Sequence, residues 1–227
     1  MRGKFITFEG GEGAGKSTQA AMLALRLEAL GLGVVMTREP GGSPGAEIIR
    51  HVLLSGAAKP LGADAEAILF AAARQDHIRC TIEPALAAGK WVICDRFIDS
   101  TRVYQGSLGK VDLKLIKGLE RIVVGDLAPD LTLVLDVPVD IALARAAGRR
   151  RGGAPDRFEA ESVEFHKKLR GAFLALAAHL PRRCVIVDAS AAKTKVAKTI
   201  WDIVTARLDP ASAPLSVEAQ TAQDLAS

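Results

Sequence analysis

A chain of 227 residues, 49% hydrophobic and 25% charged, has the composition of an ordinary globular protein, with enough apolar material for one large domain or two small ones. Its 30 basic residues against 26 acidic ones leave a formal charge of +4, too small an excess to argue for nucleic acid by itself, although local clusters can still serve a small anion. Cys80, Cys94 and Cys184 are scattered without metal-ligand spacing and read as reduced thiols of a cytoplasmic protein; no secretory signal and no bilayer-length apolar run is present.

Short β-branched runs alternate with longer helical patterns along the chain. Strands are predicted at Lys4–Glu9, Gly33–Thr37, Trp91–Asp95, Leu131–Val137 and Cys184–Ala189. Helices are predicted at Ser17–Leu30, Gly45–Leu54, Ala63–Ala88, Asp112–Val124, Val139–Ala147, Phe158–His179 and Ala192–Leu208. This alternation implies an α/β fold: a doubly wound, five-stranded parallel sheet flanked by helices in three layers. The expected boundaries are a single domain over 1–208 and a small-residue, polar tail over 209–227, read as flexible or loosely docked.

The first strand runs into Gly10-Gly11-Glu12-Gly13-Ala14-Gly15-Lys16-Ser17, which matches G-x-x-x-x-G-K-[ST] between a strand and a helix. Phosphate recognition needs backbone N–H groups turned toward one point, and glycine permits both the dihedrals and the close approach. The following helix adds its positive N-terminal dipole. This P-loop NTPase signature assigns nucleotide phosphate binding to Gly10, Gly11, Glu12, Gly13, Ala14, Gly15, Lys16, Ser17 and Thr18. Lys16 is expected to bridge the β- and γ-phosphates and Ser17 to ligate Mg²⁺.

Two later stretches extend the reading. In "WVICDRF" an apolar strand ends on Asp95, placed to hold Mg²⁺ or its waters, and on Arg96, placed to clamp a phosphoryl group in transfer. In "GRRRGGAPDRFEAES", Arg149, Arg150 and Arg151 precede glycines and a proline. The segment about 148–157 reads either as a solvated loop or as a mobile lid whose arginines neutralise charge during transfer and whose closure excludes water.

Taken together, "FEGGEGAGKSTQ", "TREPGG" (Thr37–Gly42), "ILFAAARQDH" (Ile68–His77), "DRFIDSTRVYQG" (Asp95–Gly106), "DRFEAE" (Asp156–Glu161) and "VDAS" (Val187–Ser190) resemble, in order, the bacterial thymidylate kinase (dTMP kinase) family over essentially Lys4 to Leu208. The phosphate loop is shared by many families; "REPGG" with "DRFIDSTRVYQG" is far more specific. The resemblance implies transfer of the ATP γ-phosphoryl group to dTMP by a homodimer. It implies an acceptor site with Glu12 near the sugar and metal, Arg38 and Pro40 lining it, and Phe70 stacked on thymine. Arg74 and Thr101 would supply base hydrogen bonds, Tyr104 would pack against the sugar with Gln105 beside it, and Arg96 would grip the acceptor phosphate. "VDAS" would border adenine, and Arg151 is the first choice for the lid arginine. On the residues alone, Phe70 reads as core and Arg74 as a surface arginine. Phe97 stands where relatives often carry tyrosine.

The chemistry needs no covalent intermediate. A phosphate monoester has its second pKa near about 6 and is largely dianionic at neutral pH, so positioning and charge neutralisation by Lys16, Arg96, Mg²⁺ and the lid suffice. The competing readings are another nucleoside monophosphate kinase, a nucleotide switch and a nucleic-acid-dependent ATPase. The chain has no N-K-x-D base-reading segment and no aromatic-basic platform.

Overall fold

Residues 2–149, 158 and 161–213 are described by the structure, a computed structural model. Five parallel strands form its sheet: β1 (Phe5–Glu9), β2 (Val34–Arg38), β3 (Trp91–Asp95), β4 (Leu131–Asp136) and β5 (Cys184–Asp188), in the order β2-β3-β1-β4-β5. The predicted fold class and all five strands are present. Helices α1 (Lys16–Glu28) and α9 (Lys193–Leu208) cover one face. Alternate strand residues Ile6, Phe8, Ile93, Leu131 and Leu133 are buried there against Leu23, Leu27, Val196 and Ile200. The period of two sends Phe5, Val92 and Cys94 to the opposite face, against Ile78, Ile82 and Leu86. There, too, Val134 and Cys184 meet Leu169 and Phe173 of α8 (Val163–His179). Fully burying one such side chain contributes about 1.5–3 kcal/mol relative to leaving it exposed, so these two apolar faces outweigh any surface ion pair.

The remaining helices flank this sandwich: α2 (Pro44–Leu54), α3 (Ala63–His77), α4 (Glu83–Ala87), α5 (Ile98–Thr101), α6 (Leu113–Val123) and α7 (Val139–Arg149). The predicted single helix over 63–88 is interrupted by a π turn at Ile78–Ile82. There the Glu83 N–H reaches back to the Ile78 carbonyl, and Pro84, which follows, has no N–H to continue the α ladder. A second π segment, Arg102–Leu108, continues α5, where the sequence pattern predicts no helix. The helix predicted from Phe158 begins at Val163, where the Ser162 hydroxyl accepts from the Phe165 N–H and caps it.

Only two tryptophans are present in the chain. Trp91 opens β3 and is buried, whereas Trp201 lies on α9 with the Arg26 guanidinium 4.2 Å from its ring centroid. Residues Pro210–Ser212 form one 3-10 turn with Pro210 buried; the rest of the expected tail, 214–227, lies outside the described residues. No helix among the described residues is long and apolar enough to cross a membrane.

Strand order decides where chemistry can occur. Because β3 lies between β2 and β1, Arg38 and Phe8 both pair with Asp95 in register. The loops leaving the carboxyl ends of these three strands therefore converge on one edge, where open α/β sheets bind ligands.

Candidate active site

At that edge the phosphate loop turns sharply into α1. Gly13 adopts φ +73° so close to α7 that an added Cβ would lie 1.9 Å from the Ala142 carbonyl oxygen, and a Cβ on Gly10 (φ +129°) would lie 2.5 Å from the Leu135 carbonyl oxygen. Only glycine fits both places. Lys16 is buried in this loop, and its ammonium donates to the carbonyls of Gly10 at 3.2 Å and Gly11 at 2.8 Å. Burial, then the neighbouring Arg96, pulls its pKa below the usual lysine value, while Glu12, Asp95 and Glu9 oppose that shift. The Ser17 hydroxyl donates to Asp95 Oδ2 at 2.5 Å, so the two expected metal ligands from β1–α1 and β3 already meet.

A cavity of about 330 Å³ opens beside the loop. Every residue assigned to the acceptor lines it: Glu12, Arg38, Pro40, Phe70, Arg74, Arg96, Thr101, Tyr104 and Gln105. Lys16, Ser17 and Asp95 complete its phosphate end. Gly10, Gly11 and Ala14 line instead a cavity of about 30 Å³ behind the loop, and Glu12 is shared by both. Thr18 is exposed on the first turn of α1 and lines neither. Arg150 and Arg151 lie outside the described residues, as does most of the expected lid at 148–157; Gly148 and Arg149 belong to the end of α7.

The cavity's walls are held by buried polar groups. Arg74, 3% exposed, is no surface arginine: its Nε donates to Glu39 Oε2 at 2.8 Å and its Nη2 to the Phe97 carbonyl at 3.2 Å. Glu39 Oε1 is also 3.1 Å from His77 Nδ1, and His77 Nε2 is 2.7 Å from Thr37 Oγ1. The chain Thr37–His77–Glu39–Arg74 thus fixes one guanidinium at the base of the cavity. Phe70 is half-buried in the wall rather than in the core, 6.5 Å between ring centroids from Phe158, which in turn meets Tyr104 edge-on at 5.2 Å. The Tyr104 hydroxyl is buried without a well-formed hydrogen-bond partner among the described residues, and burial pushes its pKa well up against the pull of the neighbouring Arg96. These three rings make a slot suited to a flat, largely apolar ring.

Arg96 occupies the junction between slot and phosphate loop. It sits at φ +71°, unusual for a residue with a side chain, and its N–H donates to the Phe8 carbonyl at 2.9 Å. Its Nη2 is paired with Glu12, its Nη1 donates to Ser100 Oγ at 3.1 Å, and the guanidinium lies 5.2 Å from the Tyr104 ring centroid. Burial works against its charge, yet the surrounding Tyr104, Glu12, Asp95 and Glu9 hold its pKa above the ordinary arginine value. Among the described residues lining the cavity, five cations (Lys16, Arg38, Arg50, Arg74, Arg96) face three carboxylates (Glu12, Glu39, Asp95). That balance favours an anionic guest.

Several lining residues escape sequence reasoning. Arg50, whose Nη1 donates to the Pro40 carbonyl at 2.5 Å, looks like any helix-surface arginine, and Ser100 and Phe158 lie inside "DRFIDSTRVYQG" and "DRFEAE" without anything there assigning them to a cavity. Glu39 lies inside "REPGG", yet nothing in that segment marks it as the support of Arg74. Across the sheet, Arg145 of α7 donates to the carbonyls of Ala189 and Ser190 at 2.8 and 2.9 Å and pins the "VDAS" loop, a contact its sequence neighbourhood does not signal.

Comparison with known proteins agrees with this geometry. The family model described as thymidylate kinase matches residues 8–200. A thymidylate kinase of Bradyrhizobium sp. (strain BTAi1) is 62% identical over 215 residues, covering 95% of each chain. One from Rhodopseudomonas palustris (strain CGA009) is 60% identical over 215 residues, covering 94% of each. The crystal structure of thymidylate kinase from Ehrlichia chaffeensis superposes with a TM-score of 0.72 at 33% identity, covering 90% of this chain and all of that one. A P-loop with this acceptor cavity, in this strand order and at these identities, leaves one conclusion: the chain belongs to the thymidylate kinase family.

Proposed function

We infer that the protein transfers the γ-phosphoryl group of ATP to dTMP, giving ADP and dTDP, in the cytoplasm as a step of nucleotide biosynthesis. The observation that carries this reading is one cavity joining Lys16 of the phosphate loop to an aromatic slot at Phe70 and Tyr104 through Arg96. Donor phosphates lie over the amides of Gly10–Ser17 and the α1 N-terminus. Lys16 leaves its own loop carbonyls for the phosphate oxygens, and Arg96 exchanges Glu12 for the acceptor phosphate. Thymine lies on Phe70, with Arg74 and Thr101 at its polar edge. The half-buried Tyr104 ring stands where a 2′-hydroxyl would have to fit, so the deoxy sugar is preferred. Ser17 and Asp95, hard oxygen donors in contact, suit Mg²⁺, with Glu12 nearby; when bound, the ion supplies charge neutralisation at the donor phosphates. Arg151 is the lid arginine in this reading, so Arg151→Ala lowers kcat more than it weakens dTMP binding.

An acceptor panel tests the assignment: ADP release with ATP and Mg²⁺ and each of dTMP, dUMP, UMP, CMP, AMP and GMP. Highest kcat/KM on dTMP is the expected result; preference for a ribonucleotide or purine rejects it. The protein also functions as a homodimer in this reading. Exposed Ile48 of α2, Ile68 of α3 and Ile122 of α6 give neighbouring helices an apolar outer face. Sedimentation of wild type against Ile48→Asp checks this: a dimer that dissociates supports it, and a wild-type monomer refutes it.

A further inference from the structure

Glu9 stands apart from the groups that meet the substrates. It is the last residue of β1, fully buried, and lines neither cavity. No described cation hydrogen bonds to it; the groups that do are neutral donors. Its Oε1 accepts from the backbone N–H of Phe97 at 2.9 Å and of Ser100 at 3.1 Å, and its Oε2 accepts from the Ser100 hydroxyl at 2.7 Å. A carboxylate so buried costs several kcal/mol to desolvate unless its oxygens are satisfied, and here three donors satisfy them.

Those three donors adjoin Arg96. Phe97 and Ser100 follow it in the chain, so their amides fix the turn that forces Arg96 into its left-handed conformation. The Ser100 hydroxyl has one hydrogen. Spent on Glu9, it leaves only lone pairs for the other contact, and that contact is Arg96 Nη1 at 3.1 Å. The order of donation is therefore set: Arg96 to Ser100, Ser100 to Glu9. A glutamine at position 9 cannot reproduce this. It offers one acceptor oxygen where two are used, and its NH₂ must face either the Ser100 hydroxyl hydrogen or two backbone N–H groups.

We propose that Glu9 is a positioning residue for phosphoryl transfer, aiming the Arg96 guanidinium at the acceptor phosphate through the Ser100 hydroxyl and the amides of Phe97 and Ser100. The proposal rests on the reading of Arg96 as the group that grips that phosphate. It is tested with Ser100→Ala, Ser100→Thr, Glu9→Gln and the double variant Glu9→Gln/Ser100→Ala, each measured for dTMP and ATP kinetics and for thermal unfolding. Loss of one hydrogen bond to a charged group lowers kcat/KM for dTMP by roughly tenfold in Ser100→Ala, with the ATP KM and the Tm close to wild type. Ser100→Thr keeps the hydroxyl and recovers most of the activity. Glu9→Gln loses more, and adding Ser100→Ala to it costs little further, because both act on one guanidinium. Wild-type kinetics in Ser100→Ala, or losses that multiply in the double variant, overturn the proposal. Should Glu9→Gln not fold, the alanine and threonine variants at position 100 decide alone. Wild type that leaves dTMP untouched strikes the acceptor assignment instead, and the Ser100 comparison is then made on the monophosphate it does use.

Discussion

The two ends of the cavity are built in opposite ways. The phosphate end is lined mainly by one stretch of chain, Glu12, Gly13, Gly15, Lys16 and Ser17, joined by Asp95 of β3, and in the proposed reading its guest meets backbone amides and a single lysine. The acceptor end draws side chains from β2, α2, α3, β3 and the π segment after α5, held by buried carboxylates such as Glu39 and Glu9. A site made of main chain depends on local conformation and tolerates change around it. A site made of converging side chains depends on whatever holds each of them.

Variants can break this contrast. The largest effect is expected at Lys16→Ala, where kcat falls by roughly a thousandfold or more while the Tm stays near wild type, since the loop's glycines keep its shape. Near-normal turnover would remove the phosphate end from the mechanism. At the acceptor end, Glu39→Ala leaves the Arg74 charge buried without its partner, a loss of about 3–5 kcal/mol in unfolding free energy, accompanied by a raised KM for dTMP. A stable Glu39→Ala protein with ordinary dTMP affinity would show that Arg74 needs no support. Phe70→Ala removes a stacking surface worth about 1–3 kcal/mol, so dTMP binds roughly 5- to 150-fold more weakly in calorimetry and ATP binding is unchanged. Equal weakening of both ligands would mean that the ring supports the fold rather than the base.

The smallest expected effect is a pH dependence, and it carries two signs. Burial first, then Asp99, raises the Glu9 pKa to about 7, against the pull of Arg96 and the hydrogen bonds from Ser100 and Phe97. Lys16 and Arg183 also face it, and Asp99 is itself paired with Arg102 and Arg183. A carboxyl whose pKa is higher folded than unfolded adds stability that is full below its unfolded value, near 4.5, and lost as pH rises through about 7. Its ionised form is the one that accepts from Ser100. Stability therefore falls from about pH 4.5 to about 7, while kcat/KM rises across about pH 6 to 8. The second phosphate ionisation of dTMP contributes to the same limb, so the informative quantity is the difference between wild type and Glu9→Gln. Superimposable profiles would assign the limb to substrate alone.

The same contrast explains which features the sequence makes legible. Five strands, their parallel arrangement and the phosphate loop are legible because each is written in adjacent residues: apolar runs, and a glycine spacing whose dihedral needs are local. Asp95 and Arg96 are legible as a strand end. Arg74 is not; by pattern alone it belongs to the surface, and only its pairing with Glu39, 35 positions away, puts it inside. Phe70 is reached only through the family resemblance, because a half-buried helix phenylalanine carries no mark of facing a cavity. Arg50, Ser100 and Glu9 gain meaning only through partners distant in sequence. The π turn at Ile78–Ile82 has a signal, Pro84, whose missing donor forbids a regular helix over 63–88.

The placement of the tryptophans has an optical consequence. Trp91 lies at the opposite end of its strand from Asp95, about 13 Å away at about 3.3 Å per residue. Trp201 packs beside Arg26, which lies ten residues along α1 from Lys16, about 15 Å of helix. Neither indole borders the cavity, so intrinsic emission follows the integrity of the scaffold and is nearly blind to nucleotides. Unfolding by fluorescence and occupancy by calorimetry are then independent signals, and a tryptophan placed at position 70 would turn the silent slot into a luminous one.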